Sequence, residues 1–144
     1  MLPIHIALVT GGYSGESVIS YRTARTIQQQ LDPAKYHTYW IDITMDGWYY
    51  QDQTGERWPI DKNDFSVALP SSRLVFDAVF IALHGTPGED GKLQGYFDML
   101  GIPYTSCNAL TSAVTFNKRI ATAVAGAADI PVAKSILLIR GALS

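Results

Sequence analysis

Ala78-Val79-Phe80-Ile81-Ala82-Leu83-His84-Gly85-Thr86-Pro87-Gly88-Glu89-Asp90-Gly91-Lys92-Leu93-Gln94-Gly95 is the stretch that decides the fold. Its first six residues are an apolar run, which reads as a strand buried on both faces. Leu93, Phe97 and Leu100 then follow at spacings of four and three, as on the buried side of a helix. Between strand and helix lies a glycine-rich loop with an acidic pair. Ligands of open α/β sheets bind at that carboxyl edge. A flexible turn accounts for the glycines, but not for His84 at the strand tip with Glu89 and Asp90 close behind.

The same order of elements occurs nearer the N-terminus. Ile4 to Val9 is a β-rich run ending in Thr10-Gly11-Gly12-Tyr13-Ser14-Gly15-Glu16. Ser20, Ala24, Ile27 and Leu31 then mark one face of a helix, weakly apolar at its start. Ser14 or its neighbour is expected to cap that helix, with Glu16 in the first turn, where negative charge is favoured. Two readings of Glu16 stay open: a surface acid complementing the helix dipole, or an anion at a sheet edge placed to receive a cationic group. The glycine spacing does not match G-x-G-x-x-G, so a nicotinamide site is poorly supported.

Asp32-Pro33 ends the helix, and Tyr36 to Ile43 has the composition of a second strand. Asp46-Gly47, the run Trp48-Tyr49-Tyr50, Thr54-Gly55 and Arg57-Trp58 predict a small antiparallel excursion. Its aromatics are expected to pack over a sheet edge; a stacking platform for a nucleotide or sugar is the alternative. Residues 60–72 read as polar and irregular, with a turn at Pro70-Ser71-Ser72. Beyond the opening stretch, Gly101 and Pro103 end a helix, and Ile102 to Thr105 is expected as a short strand. Asn108 to about Ala128 reads as one long Ala-rich helix. Ala109, Ala113, Phe116, Ile120 and Val124 form its apolar face, with Lys118 and Arg119 off the stripe. Val132 to Ile139 reads as a final strand. Strands alternating with helices imply the α/β class: a Rossmann-like, mostly parallel sheet flanked by helices.

A length of 144 residues fits one domain, and 47% apolar residues suffice for a core. A net charge of −2 gives no basic field, so nucleic acid is not expected as a ligand. No apolar run approaches the roughly 18 residues of a membrane span. The first residues, Met1-Leu2-Pro3-Ile4-His5, lack the features of a signal peptide, and a single cysteine, Cys107, excludes an intrachain disulfide. A cytoplasmic location is expected. Cys107 has no evident base beside it and reads as incidental rather than nucleophilic.

Gly11-Gly12-Tyr13-Ser14-Gly15-Glu16-Ser17-Val18-Ile19-Ser20 resembles the first signature of D-alanine–D-alanine ligases, GGxSxExxVS. His84 to Gly95 resembles their HGxxGEDGxxQG, Gly101 to Thr105 their GIPYTG, and Ala113 to Lys118 the stretch ending in MDK. Departures are Ile19 for valine, Ser106 for glycine, and Phe116-Asn117-Lys118 for MDK. The resemblance implies a reaction in which ATP phosphorylates the carboxylate of one D-alanine. The amine of a second D-alanine attacks that acylphosphate and gives D-alanyl-D-alanine for peptidoglycan. By matching position, Glu16 would bind the ammonium of the first D-alanine. His84 would lie near the reacting carboxylate, and Lys118 would contact ATP phosphates. An ordinary solvated helix lysine is the other reading of Lys118. Gly88 and Gly91 are expected to shape the loop, with Glu89 and Asp90 capping the following helix.

The resemblance also implies that residues 1–144 are the N-terminal, substrate-side domain, preceding the ATP-grasp central and C-terminal domains. The chain is expected to be an N-terminal piece, inactive alone, with the magnesium ligands elsewhere and none of its own residues binding metal. ATP and Mg2+ are thus the expected cofactors of the full-length enzyme, D-alanine its substrate, and a homodimer its expected state. Two alternatives remain: a related D-alanine–D-lactate or D-serine ligase domain, and a non-catalytic α/β binding domain.

Overall fold

The computed structural model describes residues 3–138 and 141. Its strands are β1 (Ile4–Gly11), β2 (Tyr36–Ile43), β3 (Trp48–Gln51), β4 (Arg57–Asp61), β5 (Ser66–Leu69), β6 (Ser72–Leu74) and β7 (Ala78–Ile81). The helices are α1 (Ser17–Gln30), α2 (Lys92–Leu100), α3 (Ala109–Phe116) and α4 (Lys118–Ala127). One seven-stranded sheet runs in the order β6-β5-β4-β3-β2-β1-β7.

β1 is the centre of the α/β part. It pairs in parallel with β2, from Ile4 opposite Tyr36 to Gly11 opposite Ile43, and with β7, from Ile6 opposite Ala78 to Val9 opposite Ile81. Because side chains alternate along a strand, β1 serves two layers. Ala7 and Val9 join a cluster containing Ile41, Ile43, Leu83, Leu93 and Phe97, on the side covered by α2. Leu8 joins Ala24 and Ala82, with Ile27, Trp40 and Phe80 around them, under α1. Ala7, Leu8, Val9 and Thr10 are all fully buried. Burying a side chain of Val or Leu size contributes about 1.5–3 kcal/mol, so β1 is anchored chiefly along its C-terminal half, Ala7 to Gly11. The run 78–83 is sandwiched as its composition requires: Val79, Ile81 and Leu83 face one cluster, Phe80 and Ala82 the other.

The antiparallel excursion is larger than the sequence suggests. β2 to β6 are joined by four successive antiparallel pairings. The parallel part is confined to β2, β1 and β7, extended by a single parallel bridge from Val79 to Tyr104 where a short strand was expected. Residues 60–72 are not irregular but carry the end of β4, all of β5 and the start of β6. Asp61 and Asp64 shape the β4–β5 turn, accepting hydrogen bonds from the Asn63 and Ser66 amides, and Phe65 enters the core from it. Strands of four and three residues are too short for an alternating pattern to emerge from the polar turn around them. Trp48, Tyr50 and Trp58 pack against the core, as aromatic stripes usually do.

Two further expectations fail toward the C-terminus. The long helix over 108–128 is broken at Asn117, whose backbone is extended (φ −88°, ψ 100°). The Asn117 side chain accepts a hydrogen bond from the Ile120 amide at 3.2 Å, so it starts a new helix instead of continuing the old one. Val132 to Leu138 form no strand, and Ile139 lies outside the described residues. The apolar stripe on α3 and α4 is not covered: Phe116, Ile120 and Val124 are exposed.

Candidate functional site

The two glycine loops lie at adjacent strand ends and touch. The Tyr13 amide donates to the Thr86 carbonyl at 2.9 Å, tying one loop to the other. Gly85 sits at φ +75°, and a Cβ there would come within 2.5 Å of Glu16 Oε2 and 2.6 Å of Ser14 Oγ. The left-handed backbone favours glycine here, and its missing side chain leaves the Glu16 carboxylate room beside the His84 backbone. Gly88 is similarly required, because a Cβ would lie 2.4 Å from the Leu83 carbonyl at the strand end. The Thr86–Pro87 peptide between them is cis.

Glu16 is exposed and occupies the N-cap position of α1, not its first turn. Neither it nor Ser14 caps the helix through a side chain. The Ser14 hydroxyl lies 3.4 Å from Glu16 Oε2 and 3.3 Å from the Glu16 amide, so it steadies the acid instead. His84 is half-buried and held at two points by α1. Its amide donates to Ser20 Oγ at 2.9 Å, and its Nε2 lies 3.0 Å from Thr23 Oγ1. Ser20 Oγ in turn donates to the Glu16 carbonyl at 3.3 Å. Glu16, Ser20 and Thr23 are four and three apart, on one face of the helix. The helix that presents Glu16 thus also grips His84. Sequence reasoning missed Ser20 and Thr23 in this role. The signal is their helical spacing from Glu16; Ser20 reads instead as part of the apolar face with Ala24, and Thr23 has no pattern of its own.

The N-cap residue of α2 is Gly91, which has no side chain to cap it; Asp90 instead accepts from the Lys92 amide, the first of α2, at 3.4 Å, while Glu89 bonds within the loop. Glu89 Oε2 accepts from the Gly85 amide at 2.7 Å. Asp90 accepts from Thr86 Oγ1 at 2.6 Å and forms an ion pair with Lys92. Burial pushes the Asp90 carboxyl up, and the hydrogen bonds from Lys92 and Thr86 more than offset it, leaving it below its ordinary value. Gln94, fully buried, donates to the Gly88 carbonyl at 2.6 Å. The loop is therefore fastened from both sides.

Lys118 is placed differently. It is the first residue of α4 and exposed, and its side chain has no hydrogen bond or ion pair among the described residues. Nothing in the structure joins it to Glu16 or His84. Cys107 is exposed, with its Sγ 3.1 Å from Ser112 Oγ and no base beside it. Among the described residues no group of three or more His, Cys, Asp or Glu could hold a metal ion. No described helix is long and apolar enough to cross a membrane. A separate cavity of about 870 Å³ is lined by Tyr21, Arg25, Trp40, Asp42 and Tyr50, without Glu16 or His84. There burial and a hydrogen bond to Asp42 push the Tyr21 hydroxyl up to about 12.

An exposed carboxylate and an imidazole bonded to the same helix suit a small zwitterion: the acid for an ammonium, the imidazole for a carboxylate or phosphate oxygen.

Comparison with known proteins places the chain in a family. The family model described as the D-ala D-ala ligase N-terminus matches residues 5–107. The D-alanine–D-alanine ligase of Parabacteroides distasonis is 46% identical over 137 residues, which is 95% of this chain and 42% of that protein. The solved D-alanine-D-alanine ligase of Coxiella burnetii superposes with a TM-score of 0.81 at 35% identity, covering 92% of this chain and 43% of that one. VanG, a D-Ala:D-Ser ligase of Enterococcus faecalis, superposes with a TM-score of 0.78 at 28% identity, covering 92% and 44%. The chain spans about two fifths of the length of the curated relatives it matches.

Proposed function

The chain belongs to the D-alanine–D-alanine ligase N-terminal family, and from that premise we propose that it is the substrate-side domain of an ATP-dependent ligase. The full-length protein joins two D-alanines through a D-alanyl phosphate, for peptidoglycan synthesis. The observation that carries this reading is the pairing of Glu16 and His84 on one helix-backed wall. Glu16 receives the ammonium of the first D-alanine as a charge-assisted hydrogen bond. His84 orients that amino acid's carboxylate and stabilises charge on it as the reaction proceeds. Glu89, Asp90 and Gln94 keep the wall in shape.

Residues 1–144 act in this reading as the N-terminal domain, with ATP-grasp domains elsewhere in the full-length protein. Lys118 contacts the ATP phosphates in this reading, as a cation. ATP and Mg2+ belong in this reading to the full-length protein, with the magnesium ligands on the ATP-grasp domains. Phosphoryl transfer depends on positioning and metal charge neutralisation, so the chain alone does not turn over. In this reading the full-length protein is a cytoplasmic homodimer. The likeness to VanG favours a second reading, in which D-serine replaces the second D-alanine. The shared wall serves the first amino acid in both.

The test is a chimera in which this chain replaces the matching part of the Parabacteroides distasonis ligase. With ATP, magnesium and D-alanine, phosphate release is expected from the chimera, none from the 144-residue chain, and a large loss on Glu16→Gln. Turnover by the chain alone, or a folded chimera without turnover, overturns the reading. Supplying D-serine beside D-alanine separates the two specificities.

A further inference from the structure

We propose that Thr23 is a positioning residue that fixes the tautomer of His84: its hydroxyl donates to Nε2 and leaves the proton on Nδ1. The evidence is a contrast among helical threonines. Thr26, Thr115 and Thr122 each donate to the carbonyl four residues earlier, at 3.2, 2.7 and 2.6 Å. That is the usual bond of a helical threonine. Thr23, on the same helix as Thr26, makes no such bond. Its hydroxyl is turned to the imidazole, 3.0 Å from Nε2.

The direction of the bond follows from satisfying the hydroxyl. If Nε2 carried the proton and donated, the half-buried Thr23 proton would need another acceptor, and none is found among the described residues. With Thr23 as donor, its hydroxyl proton and the Nε2 lone pair satisfy each other, and the neutral ring carries its proton on Nδ1. Nδ1 makes no hydrogen bond to the described residues, so it is the nitrogen left for a ligand. Ser20, fully buried, fixes the backbone of the same residue, so ring and main chain are both referred to α1.

The consequence rests on the ligase reading: the ring faces substrate as an N–H donor, the form suited to a carboxylate or acylphosphate oxygen rather than to a cation. Misorientation of such a group is costly because its two nitrogens are not equivalent.

The test reads the ring directly, without substrate. The 15N resonances of His84 are recorded in the chain at about pH 8, above the ordinary imidazole range. The expected result is a protonated Nδ1 and an unprotonated Nε2. Thr23→Val should move the ring toward the Nε2–H form, and Thr23→Ser should keep the original one. An Nε2–H ring in the unaltered chain overturns the proposal, and so does an unchanged tautomer in Thr23→Val. The first outcome needs no variant, so a Thr23→Val chain that fails to fold leaves the proposal open to refutation. An inactive chimera would count against the ligase reading and leave the tautomer untouched.

Discussion

Residues 4–107 and residues 108–138 carry equally clear apolar patterns with opposite outcomes. In the first region pattern and burial agree. Leu8, Val9, Ile41, Ile43, Val79, Leu93 and Phe97 are all essentially inaccessible. In the second, α3 buries only Ser112 and α4 buries nothing. The site divides along the same line. Glu16 and His84 stand on the packed region and are held through Ser14, Ser20 and Thr23. Lys118 stands on the uncovered one and is held by nothing described. A sequence pattern thus states what a segment could bury, and packing decides whether a residue upon it is placed.

The contrast can be broken most forcefully in the core. Phe97 is fully buried against Phe65, ring centroids 4.8 Å apart. Phe97→Ala should lower unfolding stability by about 3–5 kcal/mol, read by denaturant titration of tryptophan fluorescence. The same truncation at Ile120, 45% exposed, should stay within about 0.5 kcal/mol. Equal losses at the two positions would erase the distinction. Gly88→Ala should come next, at about 1–3 kcal/mol, because its Cβ meets the Leu83 carbonyl rather than a movable side chain.

Asn117→Ala should cost about 1 kcal/mol of local helix stability by removing the α4 cap. Helicity by far-ultraviolet circular dichroism should fall, while the tryptophan transition, reported by residues 40, 48 and 58, should not move. The smallest effect is that of acid on the loop. Asp90 titrates lower in the folded chain than unfolded, so its contribution is present above about pH 4 and lost as pH falls through its depressed folded value. Asp90→Asn should remove that component from a stability-against-pH curve; an unchanged acid limb would show that the Thr86 and Lys92 contacts contribute nothing.

The sequence was most legible where one element meets one period. The runs 78–83 and 36–43 and the spacing of Leu93, Phe97 and Leu100 gave the parallel core, and both glycine loops fell at its carboxyl edge. It was less legible where local chemistry competes with pattern. Asn117 interrupts an apolar stripe because its side chain satisfies an amide, and stripe spacing does not register that. β5 and β6 hide in a polar stretch because each is only a turn's length from the next. Glu16 and His84 could be named as a pair from their loops. That one helix fastens both depends on a hydroxyl leaving its usual carbonyl, which no linear pattern records.

Whether residues 84–91 are a rigid wall or a flexible turn is decided most directly by amide hydrogen exchange along the chain. The His84 amide is bonded to Ser20 Oγ and the Gly85 amide to Glu89 Oε2, beside fully buried strand residues. Those two amides should exchange with protection approaching that of β1, orders of magnitude slower than the amides of α4. Exchange at His84 and Gly85 as fast as in α4 would contradict a preformed wall and return the loop to a mobile turn.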